Sequence, residues 1–476
     1  MILRHDSVQS ASESHDVRGV TSDTGSTSKK QRILIVSHGH PDLNPGGGEI
    51  AAHNLHQHLR DDPNFESMFF ARHDKPSLVH GGTTFAGTGK SDEVLFFVPM
   101  GDWFRFHQVD HAKVWRDFRE CLTAFQPDIV HFHHYVHLGL EFLREVKNFS
   151  PSLPIVLTLH EYFGICHNHG QMIKTSGSRL CHESSPSACA QCFQQYTAQD
   201  FFLRKQYIQS FFALVDQFIS PSQFLKNRYV DWGLEESRIE VIENCDYSMD
   251  SDDLEERTSS DLPSLGNKSQ KKIRFSYFGQ INNFKGVDVL VDSLRYLPEA
   301  LRDRIVININ GTGLESQSEQ LRKHINSAVK KSKGILRLRG RYERSELPQL
   351  MADTDWIIIP SVWWENSPMV ILEAKKFGVP VIASNIGGMQ EKIDHGVTGL
   401  HFQAGRADSL ADCISSVVDE PALQQNYSRN IAAQFNSDSD LAMHLDIYRN
   451  LIAAVVDPAL DTDSKANEEE RLRNAA

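Results

Sequence analysis

The chain has 476 residues, 40% of them hydrophobic and 23% charged, with 62 acidic against 49 basic side chains and a formal net charge of −13. That length and apolar content exceed what one ordinary core absorbs, so two domains are expected. The acidic balance excludes a general nucleic-acid binder, because phosphate neutralisation needs a basic face, and no apolar run approaches the roughly 18 residues of a bilayer-crossing helix.

Residues 1–30 are rich in Ser, Asp, Thr and His and lack the apolar core of a secretion signal. They read as a flexible tail on a soluble, cytoplasmic protein. No Lys/Arg run marks a membrane-binding patch, although peripheral contact with the inner face of a membrane stays open. The first strand is Arg32-Ile-Leu-Ile-Val-Ser37, followed by a loop to Gly46-Gly47-Gly48-Glu49 and a helix from Ile50 to Arg60. A strand opening through glycines into a helix can bring backbone N–H groups close to a phosphate, while three glycines alone are more often just a turn. Strands at Ser67 to Ala71 and Val94 to Val98 come next, then a helix from His111 to Phe125, stopped at Gln126-Pro127.

Asp128-Ile-Val-His-Phe-His-His134 is a buried strand ending in histidines. Ligands bind at the carboxyl ends of strands in α/β sheets, although a hydrogen-bonded structural histidine is the plainer reading. Strand alternation sends neighbouring imidazoles to opposite faces, and no carboxylate is suitably spaced, so metal is not indicated there. The strand Pro154 to His160 leads into an insert, 161–193, that carries Cys166, Cys181, Cys189 and Cys192. Four thiolates ending in Cys-x-x-Cys suit a tetrahedral structural zinc, with His167, His169 and His182 as substitute ligands. Unligated thiols, an iron–sulfur cluster and disulfides remain alternatives. A helix from Phe201 to Leu214, a strand, turn and helix from Asp216, and a strand from Arg238 to Asn244 complete a first domain, 31–247. The acidic, serine-rich stretch 248–272 reads as a linker. A hinge there lets two halves close on a ligand and expel water.

The second half restarts with Ile273-Arg-Phe-Ser-Tyr-Phe278, a loop from Gly279-Gln280 to Lys285-Gly286, and an amphipathic run from Val287 to Leu297. A lysine just before a helix can neutralise a phosphate on that helix's N-terminus, whereas an isolated one is ordinarily solvated. Strands at Arg304 to Asn310 and Ile335 to Arg339, and a helix from Glu343 to Met351, precede Trp356-Ile-Ile-Ile359, apolar on both faces as in a buried parallel strand. Ser367-Pro368 reads as a helix N-cap with proline at the first helical position. Glu365 then precedes the helix and Glu373 lies inside it, on the order of 10 Å further along at roughly 1.5 Å per residue. The pair can reach the end and the middle of an elongated polar ligand; solvated surface acids are the bland alternative. A strand at Val379 to Ser384 and a turn at Gly387-Gly388 follow, completing a second domain, 273–430. The segment 431–456, matched by a helix expected from Asn430 to Val455, crosses back onto the first domain, and 457–476 is a charged tail.

Pro360-Ser361, a tryptophan, Glu365, Pro368, Glu373-Ala374, Gly378-Val-Pro-Val-Ile-Ala-Ser and Gly387-Gly388, in that order, resemble the donor-binding signature of the retaining glycosyltransferases of family 4. The glycine loop, the His131-Phe-His133 strand, Ser220-Pro-Ser222, Val241-Ile-Glu-Asn244 and Gly279 to Gly286 resemble further blocks of that family. The resemblance spans roughly Arg32 to Tyr448. It implies the GT-B fold, an α/β architecture of two Rossmann-like domains facing each other across a cleft: an N-terminal acceptor domain and a C-terminal nucleotide-sugar donor domain. It also implies transfer of a sugar from a nucleoside diphosphate sugar to a hydroxyl of a sugar, glycan or lipid-linked acceptor, with retained configuration and no catalytic cofactor. Polysaccharide or glycoconjugate synthesis is the expected setting.

By the same resemblance Glu365 contacts the donor sugar, Glu373 the ribose, and Lys285 the departing diphosphate. Gly46 and Gly47 face that diphosphate from the other wall. Ser367, Met369, Val370, Gly387 and Gly388 belong to the donor block, and Tyr342 lies near the nucleobase. His133 stands beside the transferred sugar and His131 is structural. The chain departs from the pattern at Gln280, where most members carry arginine, so one fixed positive charge is missing unless Arg339 or Arg341 replaces it. A catalytically impaired nucleotide-sugar or glycan-binding homologue is therefore an alternative, as is a sugar phosphorylase or epimerase of the same fold. A subset of the family resembles the cysteine insert. Base, sugar, acceptor, linkage and oligomeric state are not specified.

Overall fold

The computed structural model describes residues 29–44, 46–78, 81–99, 101–108, 112–177, 179–244, 272–434 and 438–456. Most of the expected N-terminal tail, the C-terminal tail and the linker up to Lys272 lie outside the described residues.

The strands of the first half are β1 (Gln31–Ser37), β2 (Phe65–His73), β3 (Phe85–Gly87), β4 (Glu93–Phe97), β5 (Ile129–Phe132), β6 (Ile155–Thr158), β7 (Gln217–Ser220) and β8 (Ile239–Val241). They form one sheet in the order β3-β4-β2-β1-β5-β6-β7-β8. Only β3 runs antiparallel to its neighbour. The second half supplies β9 (Ile273–Phe278), β10 (Ile305–Asn310), β11 (Leu336–Gly340), β12 (Trp356–Ile359), β13 (Val381–Ser384) and β14 (Gly399–Phe402), ordered β11-β10-β9-β12-β13-β14 and all parallel. Each sheet starts in its middle, builds outwards one way and then reverses. The reversal falls between β1 and β5 in one sheet and between β9 and β12 in the other, and the crevice beyond those carboxyl ends is where such sheets bind ligands.

The central strands are apolar on both faces because both faces are covered. Leu34 and Val36 pack with Phe70, Phe96 and Phe118, whereas Ile33 and Ile35 pack with Leu55 and Tyr448 on the opposite side. In the second sheet Phe275, Tyr277 and Ile307 join Trp356, while Phe278, Ile357 and Ile359 meet Ile371 and Met389. Each fully buried aliphatic side chain contributes about 1.5–3 kcal/mol, which β-branched residues add without losing rotamer freedom in a strand.

Six helices position the site: α1 (Gly47–Asp61), α2 (Gln223–Trp232), α3 (Val287–Ser293), α4 (Met369–Lys376), α5 (Gly388–Lys392) and α6 (Asp438–Val456). The single helix expected from Asn430 is two, Ala422–Gln434 and α6. The second returns to the first sheet: Tyr448 Oη lies 2.6 Å from Nδ1 of the buried His131, whose Nε2 meets Thr158 Oγ1 at 2.8 Å.

Candidate active site

The loop after β9 is shaped by its own side chains. Asn282 Oδ1 accepts the backbone N–H groups of Phe284 (2.9 Å) and Lys285 (3.1 Å). Gly286 then takes a left-handed φ of +66°, and a Cβ there would lie 1.8 Å from the carbonyl oxygen of Pro360. Only glycine lets the two loops approach that closely. The approach delivers Lys285 Nζ to Glu365 Oε1 at 2.6 Å, and the same oxygen accepts from Ser361 Oγ (2.8 Å) and Trp363 Nε1 (2.9 Å). Glu365 is 5% exposed. Its carboxylate is tolerated in that burial because it is paired and hydrogen-bonded.

Gly387 and Gly388 press on the back of the same loop. Gly388 N–H donates to the Glu365 carbonyl at 2.7 Å, and a Cβ on Gly388 would fall 1.6 Å from Asn366 O. Ser367 does not cap the following helix. Its hydroxyl donates to Glu243 Oε1, the N-cap is Pro368, and α4 begins at Met369 without a side-chain cap. The distant carboxylate, itself paired with Lys392 Nζ, takes the hydroxyl that a local cap would use. The orphan N–H groups of α4 consequently have no side-chain cap from the chain before them.

Across the cleft α1 starts at Gly47, three residues before the expected Ile50, with N-cap Gly46 also lacking a side-chain cap bond. A Cβ on Gly47 would stand 3.4 Å from Met369 Cγ, so the first residues of the two helices come within van der Waals range. Glu49 folds back over Gly46, where a Cβ would meet its Oε2 at 2.4 Å, and pairs with His38 Nε2 at 3.1 Å. Val370 occupies the second position of α4 and Glu373 the next turn. Burial, and after it the charge of Glu373, push the Tyr342 phenol up. The Tyr342 ring meets Phe278 edge-on at 5.6 Å.

Gln280 is exposed, and its backbone carbonyl accepts from Tyr277 Oη at 2.6 Å. Arg341 pairs with Glu343 at 3.1 Å in solvent and Arg339 is exposed. As placed, neither pairs with the loop that carries Lys285.

His133 shares a face with His131, their rings 4.3 Å apart. Its Nδ1 lies 3.3 Å from His160 Nε2, and its buried Nε2 has no hydrogen-bond partner. The residue lines a narrow gap with Ala51, Leu55, Thr158, Glu243, Asn244 and His444. Burial holds the His133 imidazole well below the usual range, so it is neutral. His134, with φ +148°, accepts the N–H groups of Tyr135 and Val136 on Nδ1, both at 2.9 Å. Its Nε2 therefore carries the hydrogen and donates to Glu161 Oε1 at 2.6 Å.

The cysteines depart from expectation. Cys166, Cys181, Cys189 and Cys192 are free thiols. Burial raises Cys166, and pushes Cys189 up to about 11. Among the described residues, the ligand-type side chains whose donor atoms all lie within 4.8 Å of one another are His40, His53 and Glu93, and the four sulfurs form no such group. Burial opposes a charged Lys174, but the nearby Cys181, Cys192 and Cys189 raise it on balance. A zinc held by these four sulfurs is not shown.

Nor does the histidine group read as a metal centre. His40 Nδ1 accepts from Asp42 N–H at 3.2 Å, leaving its Nε2–H to donate to Glu93 Oε2 at 3.2 Å. Glu93 Oε1 also takes Lys90 Nζ at 2.7 Å and faces His53 Nε2 at 3.0 Å. Burial works to raise Glu93, yet the bonds from His40, His53 and Lys90 hold it well below the carboxylate range, as in a satisfied network joining β4 to α1.

The sequence reading missed the residues that join the halves. Asn366 Nδ2 donates to His160 O at 3.0 Å and Ser222 Oγ donates to Asn366 Oδ1. Glu391 accepts the N–H groups of Gln223 (2.7 Å) and Phe224 (2.9 Å) at the start of α2. Partners 144 to 206 positions apart leave no local periodicity by which to find them.

The family model described as Glycosyltransferase Family 4 matches residues 45–245, and that described as Glycosyl transferases group 1 matches residues 262–434. Over 168 residues the chain is 31% identical to the glycogen synthase of Mycobacterium tuberculosis, a match covering 34% of this chain and 38% of that relative. The chain spans about half or less of the length of the curated relatives it matches. Among solved structures, the sucrose-phosphate synthase of Thermosynechococcus elongatus superposes with a TM-score of 0.61 at 17% identity, covering 89% of this chain and 100% of that one. Anabaena HepE in complex with UDP gives 0.59 at 16% identity, with 88% and 100% covered. At such identities the likeness is one of fold: two Rossmann-like domains arranged as in GT-B proteins.

Proposed function

Because the chain belongs to the GT-B glycosyltransferases of the family 4 type, we propose that it moves a sugar from a nucleoside diphosphate sugar to a hydroxyl of a sugar, glycan or lipid-linked acceptor. The transfer proceeds with retained anomeric configuration and serves polysaccharide or glycoconjugate synthesis. The observation that carries this reading is the meeting of two helix N-termini, at Gly47 and Met369, beside the loop in which Lys285 grips Glu365. Both termini carry partial positive charge and N–H groups without a side-chain cap, so a diphosphate between them is held from two walls.

In this reading Gly46, Gly47, Met369 and Val370 bind the diphosphate through the backbone, and Lys285 offsets the charge that develops as it leaves. Glu365 holds the donor sugar's hydroxyls, Glu373 the ribose and Tyr342 the base. His133, neutral in its burial, lies on the sugar side. The acceptor hydroxyl attacks the anomeric carbon from the face the diphosphate leaves. The C–O bond to the diphosphate breaks, the new C–O bond forms, and the departing phosphate oxygen takes the acceptor's proton. Positioning and electrostatic stabilisation supply the acceleration.

UDP is the first nucleotide to test, since the Anabaena neighbour holds it. The test is thermal stabilisation by UDP-, GDP- and ADP-sugars, followed by acceptor-dependent release of the matching nucleoside diphosphate. A protein stabilised by a sugar nucleotide that releases nothing with any acceptor is instead the binding homologue favoured by exposed Gln280. Among the described residues no helix is long and apolar enough to cross a membrane; a cytoplasmic site of action is part of the proposal.

A further inference from the structure

Three consecutive residues of the loop after β12 divide between the two domains. Glu365 turns to Lys285 in its own domain, whereas Trp364 and Asn366 on either side enter the other one. Trp364 is 6% exposed and belongs to the hydrophobic cluster of the first domain, with Leu34, Val130 and Tyr162. Its Nε1–H donates to the carbonyl of Cys181 at 3.0 Å. Its ring meets His182 edge-on at 5.2 Å and Phe224 at 5.1 Å, with the Arg228 guanidinium 5.5 Å from the ring centre. Arg228 also donates to the His182 carbonyl, and Cys181 N–H donates to Met172 O at 2.7 Å. The indole's only polar atom is thus satisfied by the backbone of the cysteine insert.

A buried indole N–H costs free energy unless it is paired, so this contact is specific to the insert's placement. The peptide on the far side of Trp364 has no slack, because Gly387 and Gly388 close on Glu365 and Asn366 from behind. Displacing the indole therefore pulls on the peptide that carries the Glu365 carboxylate.

We propose that Trp364 is a positioning residue through which the cysteine insert sets the grip on the donor sugar: the insert holds the indole, and the indole holds Glu365. The proposal rests on the donor-site reading above and adds to it a dependence of sugar recognition on an element of the opposite domain. Bare nucleoside diphosphate, read by Lys285, Glu373 and Tyr342, is insensitive to the insert; the sugar conjugate is not.

The experiment uses the full chain as wild type, Trp364→Ala, Trp364→Phe, Cys189→Ser/Cys192→Ser, and Trp364→Ala combined with both cysteine changes. Probes are UDP, GDP, ADP and their glucose conjugates, with the pair that binds wild type measured throughout. The expected result is nucleoside diphosphate affinity within about threefold of wild type in every variant. The extra affinity conferred by glucose falls at least tenfold in Trp364→Ala and less in Trp364→Phe, which keeps the ring and loses the N–H. The cysteine pair, which lies on the helix Pro186–Cys192 and not at the Cys181 carbonyl that takes the indole N–H, reproduces the sugar-selective loss and adds less than about twofold once Trp364 is gone. Wild-type glucose recognition in Trp364→Ala, equal losses for diphosphate and conjugate, or additive effects of the two changes each overturn the proposal. If Trp364→Ala does not fold, Trp364→Phe decides by the same readout: a sugar-selective loss supports the proposal and its absence overturns it. A wild-type chain that binds none of the probes overturns the donor-site reading itself, whereas wild-type binding with an unaffected Trp364→Ala overturns this inference alone.

Discussion

Lys285 Nζ lies 2.6 Å from Glu365 Oε1, although the two residues are 80 positions apart and leave the sheet from different strands, β9 and β12. Those strands flank the reversal point of the second sheet, so the ion pair marks the spot where its loops converge. Lys285→Ala and Glu365→Ala are each expected to lower kcat by about 10²- to 10³-fold, the cost of removing one preorganised electrostatic contact. Far-UV circular dichroism should stay that of the wild type. Near-normal turnover in either variant removes its assigned role.

Gly388 is required by contact rather than by conformation, since its added Cβ would sit 1.6 Å from Asn366 O. Gly388→Ala must push the Glu365 loop forward. The expected outcome is a melting temperature lowered by several degrees together with loss of sugar-nucleotide stabilisation, as overpacking costs about 1–3 kcal/mol. Gly81→Ala is the control: nothing lies within 4 Å of a Cβ there, and both measurements should match wild type.

Lys392 closes the joint between the domains by donating to Pro221 O at 2.7 Å and pairing with Glu243, which in turn holds Ser367. Its side chain is 7% exposed. Lys392→Ala leaves Glu243 in place without that partner, and breaking a buried pair on one side costs about 3–5 kcal/mol. Solution scattering should show a larger radius of gyration, with weaker donor binding. An unchanged radius and affinity would show that the latch carries no load.

Acid should destabilise the fold through its buried imidazoles. Burial depresses His160 to about 3 and His137 and His444 to about 4, and lowers His131 and His133 well below their ordinary range. An unfolded histidine titrates near 6.5. Between about 6.5 and about 4 the unfolded chain binds protons that the folded chain refuses, so stability falls as pH falls, by up to about 1.4 kcal/mol per pH unit for each such imidazole. Glu161, raised by burial, has the opposite sign: its contribution is present at low pH and fades as pH rises through its folded value. Melting curves from pH 7.5 to 4.5 should show a net decline starting near 6.5, and a flat profile would mean that these histidines are hydrated.

What the sequence determined by itself is local. The unbroken apolar run Trp356–Ile359 announces a strand buried on two faces and coincides with β12, and the strand expected at Ile273–Phe278 coincides with β9. The glycines before α1 and α3 and the spacing from Glu365 to Glu373 are likewise legible, because helix and strand periods are set within a few residues. What the tertiary structure decided is every partner chosen by competition over distance. Ser367 gives its hydroxyl to Glu243, 124 positions away, rather than to its own helix, and Trp364 leaves its domain for Cys181, 183 positions away. A local cap and a distant carboxylate differ by about one kcal/mol. Packing of the two domains settles a difference that small, and no window of sequence contains it.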